Sequence, residues 1–216
     1  DYMALENAVI TLQYSFMETY AKNEIEKKYQ RDIEYSLLNG LLTGDELSKA
    51  ARMLKLKDTA QYCVVSFHTI SSNSEDYYTK EELEEIGVIE GEIQRLLPDE
   101  HIYQNLNQIV CIHEIKHGET QAGFREEMEK LYQTVQKQIF HRNKTTDFQI
   151  GIGSIVNGYG DLKKSFKDSK KIIDYMDMLR YLYGYKNISV ADFSKLGFFQ
   201  IFEKIKNRDE LMEYVP

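Results

Sequence analysis

Leu5, Val9, Leu12, Phe16 and Thr19 recur at alternating four- and three-residue steps, the a/d pattern of a helix with one packed seam. Ile25, Tyr29, Ile33 and Leu37 extend the stripe, while Glu24, Glu26, Lys27, Lys28, Arg31 and Asp32 fill the other face. No Pro or Gly interrupts before Gly40, so the pattern predicts one helix over residues 2–38. A second, short helix follows Asn39–Gly44, with Asp45 as its expected cap and Leu47, Ala50, Ala51 and Leu54 on its apolar face. Gln61–Ile70 is a strand, and residues 71–76 a polar loop. Residues 80–97 are an acidic amphipathic helix with Leu83, Ile86, Ile93 and Leu97 inward, ended by Pro98. A hairpin comes next, with strands at 101–104 and 108–115 and a turn at Asn105, Leu106 and Asn107. Residues 121–142 are a helix with Phe124, Met128, Leu131, Val135 and Ile139 inward, and residues 148–156 a buried strand. A glycine-rich turn, Asn157–Gly160, leads through an expected N-cap at Asp161 into a helix reaching Tyr183. The chain closes on a strand at 188–192 and short helices at 196–206 and 209–215.

From the first strand the order is β-α-β-β-α-β, the split βαβ or ferredoxin-like arrangement, with a helix and a late strand added. The expected fold class is α+β, with a partly antiparallel sheet, helices on one face and a long N-terminal helix. Three divisions follow: a linker or dimerisation helix at 1–38, a domain at 39–195, and terminal helices at 196–216. A helix over residues 2–38 far exceeds the ~11–12 residues of an average one. That excess favours a parallel coiled-coil linker, and hence a homodimer, over a helix packed on its own domain.

Composition adds little until charge is mapped. The chain has 216 residues, 42% apolar and 29% charged, the balance of a globular protein. Cys63 and Cys111 lie in apolar strand-like runs and are expected to be free, buried thiols of a reducing compartment. With no span-length apolar run and no signal sequence, the expected location is cytoplasmic, with no membrane partner. The chain opens on Asp1 inside a helical pattern and stops at Pro216, as a piece of a longer protein would. Net charge is −8 but uneven. Residues 72–100 hold ten acids against Lys80 and Arg95, and residues 158–208 hold eleven bases against six acids. The lysines of the second stretch alternate with aspartates and have few aromatic neighbours, which argues against a nucleic-acid surface there.

Three motifs invite chemistry. His113-Glu-Ile-Lys-His117 has the H-E-x-x-H spacing of zinc proteases, in which two His on one helix turn bind metal. Here it follows a strand, where positions four apart lie about 13 Å apart, too far to chelate one ion. Gly153–Gly158 has P-loop spacing, but Tyr159 and Gly160 stand where the lysine and hydroxyl belong. Glycines serving a tight turn and close helix packing explain it better. The many tyrosines, among them Tyr20, Tyr29, Tyr35, Tyr77, Tyr78, Tyr175, Tyr181, Tyr183 and Tyr185, sit at helical spacing as core or rim residues.

The entry helix into Ile33–Gly44, the run Ile150-Gly-Ile-Gly-Ser154 with Asp161-Leu-Lys-Lys-Ser165, and Val190–Gly197 together resemble the GGDEF-like middle domain of PucR/CdaR-type bacterial transcriptional regulators. The resemblance spans roughly residues 30–215. It implies a cyclase-like fold, a sensor domain before it, and a DNA-binding helix-turn-helix after it. The small-molecule effector would then bind another domain, and DNA would be bound only by the absent C-terminal domain. Active cyclases of the wider family hold Mg²⁺ and GTP with an acid on the first strand and a Gly-Gly-Asp/Glu-Glu-Phe turn. The matching strand here, Cys63–His68, has no carboxylate, and the turn reads Asn105, Leu106, Asn107, Gln108, Ile109. Both glycines and both acids are missing. The expectation is a non-enzymatic regulatory and dimerisation domain with no cofactor, no metal and no catalytic residue, dimerising through Leu5, Val9, Leu12, Phe16, Ile25, Tyr29 and Ile33. The alternative is a domain that keeps nucleotide binding without cyclase activity.

Overall fold

The computed structural model describes residues 2–70, 79–105, 108–141, 146–183 and 188–197. The elements are α1 (Tyr2–Leu38), α2 (Gly44–Met53), β1 (Gln61–Ile70), α3 (Lys80–Leu96), β2 (His101–Asn105), β3 (Gln108–Glu114), α4 (Gln121–His141), β4 (Asp147–Ile152), β5 (Val156–Asn157), α5 (Leu162–Asp174), α6 (Met176–Tyr183) and β6 (Val190–Asp192). The six strands form one sheet ordered β2-β3-β1-β4-β6, with β5 pairing the start of β1. All pairings are antiparallel except β4 with β6. The α+β class, the strand order and the long first helix match the sequence reading.

β1 is central and buried on both faces, which suits its run of β-branched, aromatic and small residues. On one face Cys63, Val65 and Phe67 pack with Ile86, Ile89 and Ile93 of α3 and with Phe124, Met128, Val135 and Ile139 of α4. On the other, Tyr62 and Val64 meet Leu37 and Leu38 of α1, Ala51 of α2, and Leu162 and Phe166 of α5. Helices therefore cover both faces, not one as expected. The reason lies in β1 itself, whose two apolar faces each need a cover.

Several boundaries also differ from expectation. Thr43, in extended geometry, is the N-cap of α2, and Asp45 falls inside the first turn. Leu83 is 45% exposed, because the buried row of α3 runs through Ile86, Ile89 and Ile93. α3 instead begins with a capping box: Glu82 N–H donates to the Thr79 hydroxyl at 3.2 Å, and Thr79 N–H donates to the Glu82 carboxylate at 2.8 Å. β4 stops at Ile152, Gly153 N–H still donates to the Val64 carbonyl of β1 at 2.9 Å, and strand pairing with β1 resumes at β5. A 3-10 turn at Tyr159–Asp161 precedes α5, and Asp161 is its N-cap as expected, though its side chain makes no capping bond. The helix expected to reach Tyr183 breaks at Tyr175 into α5 and α6. The bend lets Met176 and Leu179 bury against Ala191 and Leu196. The final strand contracts to Val190–Asp192, followed by a 3-10 turn in which Asp192 accepts from Ser194 N–H at 3.0 Å. The loop at 71–76, Leu106, Asn107, Tyr77, Tyr78, Tyr185 and nearly all of the expected terminal helices lie outside the described residues.

Candidate functional site

Two regions carry the functional expectations: the cyclase-like pole of the sheet, and α1. The β2–β3 hairpin places Asn105 opposite Gln108, and Gln108 opposite His68 of β1. The hairpin strands thus end, at Asn105 and Gln108, beside the C-terminal half of β1, where an active cyclase would gather its acids. Ser66, Phe67, His68, Thr69 and Ile70 stand there instead. Ser66 is buried and shares a 2.7 Å hydrogen bond with Ser169 of α5, and Phe67 is core. Burial lowers the pKa of His68, with Asp174 opposing, so the ring favours its neutral form. Among the described residues of β1, β2 and β3 the one carboxylate is Glu114, at the far pole opposite Tyr62. It pairs with Lys57 Nζ at 2.9 Å. A hydroxyl, a neutral ring and amides do not fit Mg²⁺, which is held through carboxylates and phosphates. Two acids from other elements reach this pole, Asp147 of β4 opposite Ile70 and Asp174 of α5 near His68, but Asp147 already accepts from Tyr132 and Gln136, and neither lies on β1 or the hairpin, where active cyclases carry theirs.

The glycine-rich stretch after β4 is filled by the protein itself. A Cβ on Gly151 would stand 2.3 Å from the Ser169 carbonyl oxygen, and one on Gly153 2.1 Å from that of Ser165. α5 thus presses its backbone onto β4. The serines sew the contact: Ser165 Oγ accepts from Val64 N–H at 2.8 Å and donates to the Ser154 carbonyl at 2.7 Å. Ser154 Oγ donates to Asp168 at 2.5 Å. Gly158 takes a left-handed φ of 69° in the turn. These glycines serve close packing and turn geometry, as their sequence context suggested, and the space beside Gly151 and Gly153 is occupied.

The H-E-x-x-H run is divided. His113 lies on β3 with its ring buried, and His117 is exposed in the following turn. Glu100 lies 2.8 Å from His113 Nδ1, and Glu119 lies 3.1 Å from Nε2. Phe124 stacks on the ring at 4.2 Å between centroids. Burial lowers the His113 pKa, but hydrogen bonds and charges from Glu100 and Glu119 outweigh it and leave it raised. The ring therefore pins the loops before β2 and before α4. Cys111 donates to the same Glu100 at 3.9 Å. Both cysteines are buried and free, as expected, and burial pushes both thiols up. Sequence spacing singled out His113 but could not find Glu100 and Glu119, which reach it from separate loops.

α1 is about 55 Å long at ~1.5 Å per residue. It joins the domain only near its end, where Glu34, Leu37 and Leu38 are buried. Of the seven expected seam residues, Leu5, Val9, Leu12, Phe16, Ile25 and Tyr29 are exposed, with Phe16 at 71%. Ile33 is half-buried and packs in part on its own domain core. Met3, Ile10, Met17 and Tyr20 widen the exposed apolar band. An open groove of about 770 Å³ separates α1 from β2, lined by Ile25, Lys28, Arg31, Tyr35 and Tyr103 among others. Beside it Glu34 is 1% exposed and accepts from Gln30 Nε2 at 2.9 Å. Burial lifts its pKa to about 7, against the Gln30 hydrogen bond and the Arg31 charge. Nothing in the sequence distinguished this glutamate from its solvated neighbours.

Among the described residues no helix is long and apolar enough to cross a membrane. No curated protein matches the chain significantly. The family described as "GGDEF-like domain" matches residues 39–175, from the end of α1 to the break between α5 and α6. That covers well over half of the 216 residues. With a mixed α+β fold and a mostly antiparallel six-stranded sheet consistent with that match, the chain belongs to the GGDEF-like domain family.

Proposed function

We propose that the chain is a non-enzymatic dimerisation and relay module of a PucR/CdaR-type transcriptional regulator, passing an effector signal to a DNA-binding helix-turn-helix domain. The observation that carries this reading is α1: a long helix rooted in the domain core at Glu34, Leu37 and Leu38, with an apolar band exposed over residues 2–20. Such a band finds its cover in a second copy, with Val9 and Phe16 at a and Leu5 and Leu12 at d of a parallel coiled coil. The cyclase-like pole supports the non-enzymatic half of the reading. Phosphoryl transfer depends on metal and electrostatic stabilisation of developing charge, and β1 carries no acid to hold the metal. The nucleotide-binding alternative has no observation in its favour, since α5 fills the glycine-rich stretch.

Size-exclusion chromatography with light scattering tests the dimer. The expected result is twice the 25.4 kDa chain mass, falling to one chain in a Leu12→Asp/Phe16→Asp variant with unchanged circular dichroism. A wild-type protein that stays monomeric at high concentration sinks the proposal.

A further inference from the structure

The lysines of α5 alternate with aspartates in sequence, yet the helix sorts them. Lys163, Lys164, Lys167 and Lys170 are exposed and Lys171 is half-buried. Their spacing of one, three, three and one residues places all five on one face of a 13-residue helix. Asp168, the acid between them, is turned inward at 5% exposure and accepts from Ser154. Asp161 and Asp174 remain only at the two ends. The compensating acid sits across the sheet on α3, where Glu82, Glu84, Glu85, Glu90 and Glu92 outnumber Lys80 and Arg95. A chain of net charge −8 thus presents one uninterrupted cationic row.

We infer that the exposed face of α5 binds the phosphate backbone of duplex DNA without reading its sequence. The face has charge and nothing else. Its one aromatic, Phe166, is 5% exposed and lies beneath Lys170, whose Nζ stands 4.2 Å from the ring centre. Protein partners commonly bring an apolar or aromatic centre to their contact, single strands add aromatic rings on which bases stack, and helices that lie in a membrane surface add apolar side chains that insert. Duplex backbone binding needs only cations held along a line, through counterion release. The inference goes beyond the regulator reading. There, sequence-specific contact belongs to a separate domain; here α5 adds sequence-independent phosphate contacts of its own.

Fluorescence anisotropy of a labelled 20-base-pair duplex of arbitrary sequence tests this on the whole chain. Binding at 50 mM NaCl should weaken roughly 40-fold at 200 mM if three phosphates are neutralised. A Lys163→Gln/Lys167→Gln/Lys170→Gln variant should lose at least about tenfold in affinity at 50 mM, the effect of two or more lost phosphate contacts. The Lys→Arg triple at the same positions should retain binding, and so should Lys130→Gln/Lys137→Gln on α4, with circular dichroism confirming each fold. No binding at 50 mM, salt-independent binding, an unaffected Gln triple or an equal loss in the α4 variant overturns the inference. Binding of poly-glutamate but not of duplex also overturns it and assigns the row to an acidic protein.

Discussion

Burying Glu34 at 1% exposure beside one neutral partner, Gln30, deprives its carboxylate of water. The folded pKa of about 7 stands above the ordinary carboxylate value of 4.5, so the folded state holds the proton more tightly than the unfolded chain. Stability is then unpenalised below pH 4.5, falls as pH rises, and carries the full penalty above pH 7. At 1.36 kcal/mol per pKa unit the ceiling is about 3 kcal/mol. Glu34→Gln removes the charge while keeping a hydrogen-bonding amide. Urea unfolding should show the variant more stable by roughly 1–3 kcal/mol at pH 8 and equal to wild type at pH 4.5. An equal gain at both values would trace the effect to packing, not ionisation. Residue-scale features of this kind were the least legible. Glu34, the Glu100–His113–Glu119 set and the Arg125–Asp192 pair at 2.8 Å, which ties α4 to β6, depend on which loops and helices meet, and no local pattern records that.

Between elements, α5 lies so close to β4 that only glycine fits at positions 151 and 153. Gly153→Ala would drive a methyl into the Ser165 carbonyl and its hydroxyl, at 2.1 and 2.7 Å. The hydroxyl is held by Val64 N–H and the Ser154 carbonyl, and the carbonyl is fixed in the α5 backbone, so neither yields cheaply. The expected cost is about 1–3 kcal/mol or more, the range of core overpacking. Gly87 of α3, with open space around its missing Cβ, is the contrast. There Ala should stabilise by roughly 0.5–1 kcal/mol through helix propensity alone. Thermal unfolding of both variants checks the pair, and a neutral Gly153→Ala contradicts the close-packing account. The inward rows of α4 and the β1 run were plain in the sequence because burial on one face writes a period into the chain. Leu83 and the break at Tyr175 were not, because a helical period cannot tell where a helix runs past the edge of its sheet or where a bend buries more.

At the scale of the molecule, the GGDEF-like fold was readable, since the periods of strands and helices alternate along the chain in the order of a split βαβ unit. Covering of both sheet faces was not, because nothing local says which face a helix will take. How α1 serves the whole is the remaining question. None of residues 2–32 is buried, so this length adds little to the stability of one copy, yet the same helix ends in the core at Leu37 and Leu38. If copies pair through α1 and the pairing is felt by the domain, dissociation and unfolding become one event. The unfolding midpoint then rises with protein concentration by mass action. A hundredfold rise adds about 1.4 kcal/mol per protomer, or roughly 3–5 °C for a domain of this size. A chain starting at residue 23 lacks the band and should unfold at one temperature regardless of concentration. Calorimetry at 2 and 200 µM separates the possibilities. A dimer whose midpoint stays fixed would make α1 a tether whose pairing never reaches the sheet, and the relay would fail while the dimer stood.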